Sequence, residues 1–112
     1  MRFAVPITDG KVAEHFGHCS HFALFDVDEA TNAIVKREVV PSPGHQPGFL
    51  PAWLAEEGVS VVIANGMGSR AQGVFRENRI EVIVSVLGDD PEKAVLDYIK
   101  GGLATGDNIC DH

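Results

Sequence analysis

The sequence predicts a single α/β domain built around a mixed sheet. Three observations carry this. Residues 59–64 and 80–86 are nearly continuous β-branched, apolar runs, the pattern of strands buried on both faces in a parallel sheet. A short helical segment separates them, so they join through a right-handed crossover. Ahead of them, two strand-like segments flank a five-residue polar turn and read as an antiparallel hairpin.

Taken in order, residues 2–7 (Arg-Phe-Ala-Val-Pro-Ile) form a first strand that ends at the turn signal Thr8-Asp9-Gly10. Residues 11–20 read as a loop. His21 to Val27 is the second strand, and Asp28 to Asn32 is the polar turn. Residues 33–40 are the third strand, with Ile34, Lys36, Glu38 and Val40 on one face and Val35, Arg37 and Val39 on the other. Such mixed faces predict a partly solvated edge. Residues 41–48 hold three prolines and two glycines and form a loop.

Phe49, Leu50, Trp53 and Leu54 share one helical face. Pro51 fits only a first turn, so this helix starts near Leu50 or Pro51, and Gly58 stops it. The fourth strand follows at 59–64. Asn65-Gly66-Met67-Gly68-Ser69 breaks it, and a second helix at 70–78 turns Ala71, Val74 and Phe75 inward. The fifth strand is 80–86. Asp90 is an N-cap with Pro91 at the first helical position of the third helix. Ala94, Val95, Tyr98 and Ile99 make its apolar face, and Gly101-Gly102 end it. Residues 1–106 are the expected domain, and 107–112 a polar tail.

At 112 residues the chain can bury one modest core without disulfide support. Sixteen acidic against nine basic residues give a net charge of −7, which disfavours nucleic-acid binding. No apolar run approaches the roughly 18 residues of a membrane span. The start, Met1-Arg2-Phe3-Ala4-Val5-Pro6, lacks the apolar core of a signal peptide. The expected location is the cytoplasm, with no membrane partner. There, Cys19 and Cys110 fit metal binding better than a disulfide.

Three segments carry candidate chemistry. His15-Phe16-Gly17-His18-Cys19-Ser20-His21 puts three histidines and a cysteine within seven residues. Imidazole and thiolate are soft or borderline ligands suited to zinc, copper and iron–sulfur species. The spacing matches no zinc-knuckle motif, and a strand starting at His21 would turn that residue away from the others. Cys110-Asp111-His112 at the C-terminus is a second Cys/His pair that could reach a metal. The turn 65–69 joins a buried parallel strand to a helix, where ligands collect in open α/β sheets. Glycine permits close backbone approach, and the helix N-terminus presents unpaired N–H groups, with Ser69 and Arg70 as added donors. This turn is neither a phosphate loop nor a dinucleotide fingerprint. His45 is a lone loop histidine. Asp9, Glu14, Asp26 and Asp28 form no visible catalytic pair, so a binding protein is expected rather than an enzyme.

Three segments together resemble the dinitrogenase iron–molybdenum cofactor biosynthesis family, which includes NifX, NafY and the C-terminal part of NifB. They are Phe-Ala-Val-Pro-Ile-Thr-Asp-Gly, Val-Ala-Glu-His-Phe-Gly-His-Cys-x-x-Phe-x-Leu-Phe-Asp-Val, and Val-Ile-Ala-Asn-Gly-Met-Gly-Ser-Arg-Ala. The chain is similar to a stand-alone member. The resemblance implies a ribonuclease H-like fold: a mixed five-stranded sheet, order 3-2-1-4-5 with strand 2 antiparallel, and three helices. It also implies binding of an anionic metal–sulfur cluster, either an iron–molybdenum cofactor precursor or a molybdenum–copper sulfide. His15 then maps to the cluster contact, and Gly66, Met67 and Gly68 to the glycine-rich turn.

The expected cofactor site is therefore His15, Gly66, Met67, Gly68, Ser69 and Arg70. The metal ligands are drawn from His15, His18, Cys19, Cys110 and His112. The expected function is a carrier that receives or delivers the cluster through a protein partner. The alternative is a metal- or redox-responsive interaction protein that binds a simple ion such as zinc or copper.

Overall fold

The computed structural model describes residues 1–16, 19–43, 49–84 and 89–101. Within these, the strands are β1 (Arg2–Thr8), β2 (Lys11–Val12), β3 (His21–Asp28), β4 (Ala33–Pro41), β5 (Val61–Ile63) and β6 (Glu81–Ile83). The helices are α1 (Phe49–Glu56), α2 (Ser69–Glu77) and α3 (Pro91–Ile99). The chain is a mixed α/β domain with three helices, and its sheet runs β4-β3-β1-β5-β6 with β2 paired to β1. β3 is antiparallel to both β1 and β4, whereas β1, β5 and β6 run parallel.

β2 departs from the sequence reading, which made residues 11–20 a loop. Asp9 (φ 54°) and Gly10 (φ 78°) both take positive φ, as a two-residue hairpin turn demands. Lys11 and Val12 then fold back on Thr8 and Ile7. The Asp-Gly dipeptide is the signal for this hairpin. The fifth predicted strand also differs. It is not buried on both faces: Glu81 is exposed, and Val82 and Ile83 are half-buried, because β6 is the sheet edge.

Alternation along the strands divides the core into two layers. Phe3, Val5 and Ile7 of β1 join Ala23, Phe25, Val27, Val61 and Ile63 against Ala94 and Val95 of α3. Ala4, Phe22, Leu24 and Val62 face the other way, against Leu50 and Leu54 of α1 and Phe75 of α2. Each large side chain buried this way contributes roughly 1.5–3 kcal/mol of transfer free energy. β4 is the solvated edge its mixed faces predicted, exposed along most of its length. α3 begins as its cap predicts, with the Asp90 carboxylate accepting from the Glu92 and Lys93 N–H groups. No described helix is long and apolar enough to cross a membrane.

Candidate functional site

The parallel arrangement of β1, β5 and β6 brings their carboxyl ends to one edge, and residues 12–16 lie across that edge. Four backbone hydrogen bonds hold the crossing segment and its continuation. Val12 N–H donates to Asp89 O (2.8 Å), Ala13 N–H to Pro6 O (2.9 Å), Phe16 N–H to Gly66 O (2.8 Å) and Ser20 N–H to Ile7 O (3.0 Å). The segment is thereby tied to the approach to α3, to β1 and to the turn after β5. The Phe16 ring anchors it from below. It is buried, edge-on to Phe75 (5.2 Å) and tilted against Phe22 (5.7 Å).

His15 stands on the exposed rim above this anchor. It lines a cleft of about 470 Å³ with Thr8, Lys11, Val12, Ala13, Glu14, Asn65 and Asp89. Lys11 Nζ lies 3.9 Å from the Asp89 carboxylate, and both side chains are largely solvated. Asn65 carries a buried Oδ1 with no hydrogen-bond partner. A buried acceptor without a partner costs about 1–3 kcal/mol, a penalty that native structures carry mainly where it has a purpose.

The predicted turn residues separate into two kinds. Gly66 and Met67 are buried, and Met67 is 1% exposed within the α1–α2 layer of the core. Its carbonyl accepts from Gln72 Nε2 (2.9 Å), so the turn is braced by its own helix. Ser69 and Arg70 are exposed at the start of α2. Gly68 is the N-cap of α2, with extended backbone and no side-chain cap. The two helix N-termini at this edge therefore differ: that of α3 is closed by Asp90, and that of α2 has no side-chain acceptor over its N–H groups.

Cys19 is half-buried against the same core layer as Phe16. Burial pushes its thiol up to about 11, against the opposing pull of hydrogen bonds from its own backbone and from Ser42. At neutral pH it is a thiol, and binding a metal there requires displacing a tightly held proton. His21 is exposed, with Nδ1 2.9 Å from Ser20 Oγ, on the opposite face from buried Phe22. Among the described residues no three His, Cys, Asp or Glu side chains cluster as a preformed metal site. His18, His45, Cys110 and His112 lie outside the described residues.

A second cleft, of about 590 Å³, lies at the opposite edge and is lined by Met1, Arg2, Asp26, Glu29, Gly58 and Ser60. Its guanidinium is committed to the fold. Arg2 donates to Asp26 (2.9 Å), to the Glu57 carbonyl (2.7 Å) and to Glu38 (3.3 Å). The His15 cleft has the less committed polar groups and the position expected of a ligand site.

Comparison with known proteins gives the family of the chain. A sequence model described as "dinitrogenase iron-molybdenum cofactor" matches residues 1–101. The chain belongs to that family. A protein of Methanocaldococcus jannaschii, uncharacterized protein MJ0580, is 29% identical over 85 residues, 73% of this chain and 72% of its own. The crystal structure of PH0822 superposes with a TM-score of 0.84 at 29% identity, covering 94% of each chain. The apo form of the orange protein from Desulfovibrio gigas superposes with a TM-score of 0.69 at 26% identity, covering 96% of this chain and 93% of its own. The family match spans both the His15 segment and the Gly66–Gly68 turn, and it ends before Cys110 and His112.

The sequence reading did not single out Thr8, Lys11 and Asp89 as cleft residues, and named Asn65 only as part of the 65–69 turn. Three of them directly follow or flank strand ends, which is the signal that could have found them. Asp89 is brought in by the return of the chain from β6.

Proposed function

We propose that this member of the dinitrogenase iron–molybdenum cofactor family is a non-catalytic carrier of an anionic metal–sulfur cluster, held as cargo in the His15 cleft. The carrying observation is the hydrogen bond from Phe16 N–H to Gly66 O. It fastens the segment that carries the exposed His15 imidazole to the turn leading into the uncapped start of α2. An imidazole binds a metal of the cluster, and backbone N–H groups at a helix start donate to its negatively charged sulfides. Asn65, whose Oδ1 has no partner, would present an N–H donor to a sulfide if its amide turned over.

Several features support the reading. The order β4-β3-β1-β5-β6 supports a ribonuclease H-like assignment, in which the cleft falls at the strand ends. The family description names the iron–molybdenum cofactor, and a neighbour named for its colour is described in an apo form. The cargo is an iron–molybdenum precursor or a molybdenum–copper sulfide. It is passed to or from a protein partner in the cytoplasm, where thiols stay reduced. Cys19 serves as an optional ligand only after losing its proton. Its high thiol pKa favours a carrier over a thiol-based redox sensor.

The test is anaerobic reconstitution of the full chain with iron, sulfide and molybdate, with tetrathiomolybdate and copper(I), and with zinc. Visible absorbance, bound metal and bound sulfide are measured after desalting. Visible bands that fall severalfold in His15→Ala are expected. A protein that binds zinc alone without colour, or no metal at all, would falsify the carrier reading.

A further inference from the structure

The outer edge of β4 is unpaired among the described strands, and its sequence is complementary to itself. β4 ends the sheet, bonded on one side only, to β3. Val35 is 65% exposed and Val39 60%, two of the four large apolar side chains exposed on the described surface. Val35 is exposed for a local reason. The register with β3 shifts between Asp26/Lys36 and Val27/Ile34, so Val35 is an extra residue that turns out of the pleat.

Charged residues on an edge strand normally block pairing, because in an added strand they land opposite like charges or apolar groups. Here the outcome depends on the register. Two copies of β4, laid antiparallel about a two-fold axis through Arg37, set Lys36 of each opposite Glu38 of the other. The same axis sets Val35 of each copy toward Val39 of the other. An axis through Lys36 instead faces lysine with lysine and sets Val35 against Arg37. An axis through Glu38 faces glutamate with glutamate and sets Val39 against Arg37. Only the Arg37 register matches both charge and apolarity. Its cost is the facing of two Arg37 side chains. Each is already drawn toward α3 of its own copy by an ion pair with Glu92, which holds the Glu92 carboxyl below its ordinary range. Glu38 is also bonded to Arg2, but its side chain remains 42% exposed and open to a second partner.

We propose that the chain forms a two-fold dimer by antiparallel β4–β4 pairing centred on Arg37, joining two sheets into one. The occupant of the edge is a second copy of this chain. The paired edge is one short strand from each copy, interrupted at the Val35 bulge, and it buries less than a large obligate interface, so the dimer is reversible. The surface is at the far side of the sheet from β6, so two clefts remain open in the dimer.

Sedimentation velocity on the full chain, from about 1 µM to about 1 mM, tests this together with a charge exchange. Lys36→Glu alone, and Glu38→Lys alone, each set two pairs of like charges across the axis and weaken association by about tenfold or more, since directly opposed like charges repel where opposite ones attract. The double variant K36E/E38K restores the wild-type constant. An equimolar mixture of the two single variants associates where each alone does not, because the mixed pairs are again of opposite sign. That mixture also separates the interface from any folding defect. A wild-type chain that stays monomeric throughout overturns the proposal. So does a dimer indifferent to the single exchanges, or a mixture that fails to associate.

Discussion

The main-chain N–H of Phe16 donates to the carbonyl oxygen of Gly66 across 2.8 Å. Fifty positions separate the two residues in the chain. The bond joins the histidine-bearing segment after β2 to the glycine-rich turn after β5, and the Phe16 ring locks it by packing on Phe22 and Phe75. The backbone next to His15 is therefore anchored by a core residue.

Phe16→Ala is expected to destabilise the fold by about 3–5 kcal/mol, the usual cost of deleting a buried aromatic ring. Phe16→Leu keeps much of the volume and the backbone bond, and loses mainly the ring pairs, worth about 0.5–1.5 kcal/mol each. Urea denaturation gives both values. Cluster loading should survive in the leucine variant and fail in the alanine variant. Equal loading in the two would mean that the anchor does not hold His15.

Asn65 offers a trade between stability and binding. Its Oδ1 is buried without a partner. Asn65→Leu removes that unmet acceptor, so it should raise or leave unchanged the urea midpoint while lowering cluster loading, because the amide donor is lost. Asn65→Asp keeps the shape but places a carboxylate where an anion would sit, and should abolish loading. A cargo that loads better in the aspartate variant would be a cation or a hydrogen-bond donor.

The contrast between Phe16 and Met67 marks what the sequence could disclose. Local chemistry was readable. Asp90-Pro91 announced the start of α3, Gly58 the end of α1, and the alternation in residues 33–40 the solvated edge. Asp9-Gly10 carried the hairpin signal as well, but two residues of strand are too few to leave a period of their own. What could not be read was placement that depends on distant chain. Met67 stood in the turn as though available to a ligand, yet its side chain is core. Asp89 enters the cleft only because the chain returns from β6 to bond Val12. Nor could the sequence disclose the protonation of Cys19, since it arises from burial by residues far away in the chain.

Cys19 should react slowly with an alkylating reagent. Its thiol pKa of about 11 lies above the ordinary thiol value, so at pH 8 the folded protein holds far less thiolate than the unfolded chain. In a Cys110→Ser background, the iodoacetamide rate should rise steeply between pH 9 and 11 and jump on adding urea. The linkage has a definite sign. The folded state holds the proton more tightly than the unfolded one, so this contribution to stability is fully present below the unfolded pKa of roughly 8.5 and is lost as pH climbs toward 11. Cys19→Ser should flatten the fall in stability over that interval. An alkylation midpoint near the ordinary thiol value would contradict the burial argument.

The charges lining the cleft give the sign of its cargo. Lys11 and Asp89 face each other at 3.9 Å, and both side chains are about 70% exposed. Such a pair contributes little to folding, so Lys11→Gln and Asp89→Asn should each leave the urea midpoint nearly unchanged. Their effects on binding should be opposite. An anionic cluster is attracted by the ammonium and repelled by the carboxylate, so Lys11→Gln weakens loading and Asp89→Asn strengthens it. Each change should be a few-fold at low salt and shrink as the Debye length falls from about 30 Å at 0.01 M to about 8 Å at 0.15 M. Titration of tetrathiomolybdate with copper(I) at those two ionic strengths measures both. Loading that improves on removal of the lysine and declines on removal of the carboxylate would identify a cationic cargo. The cleft would then be a metal-ion site in which Glu14 and Asp89 contribute oxygen ligands beside His15.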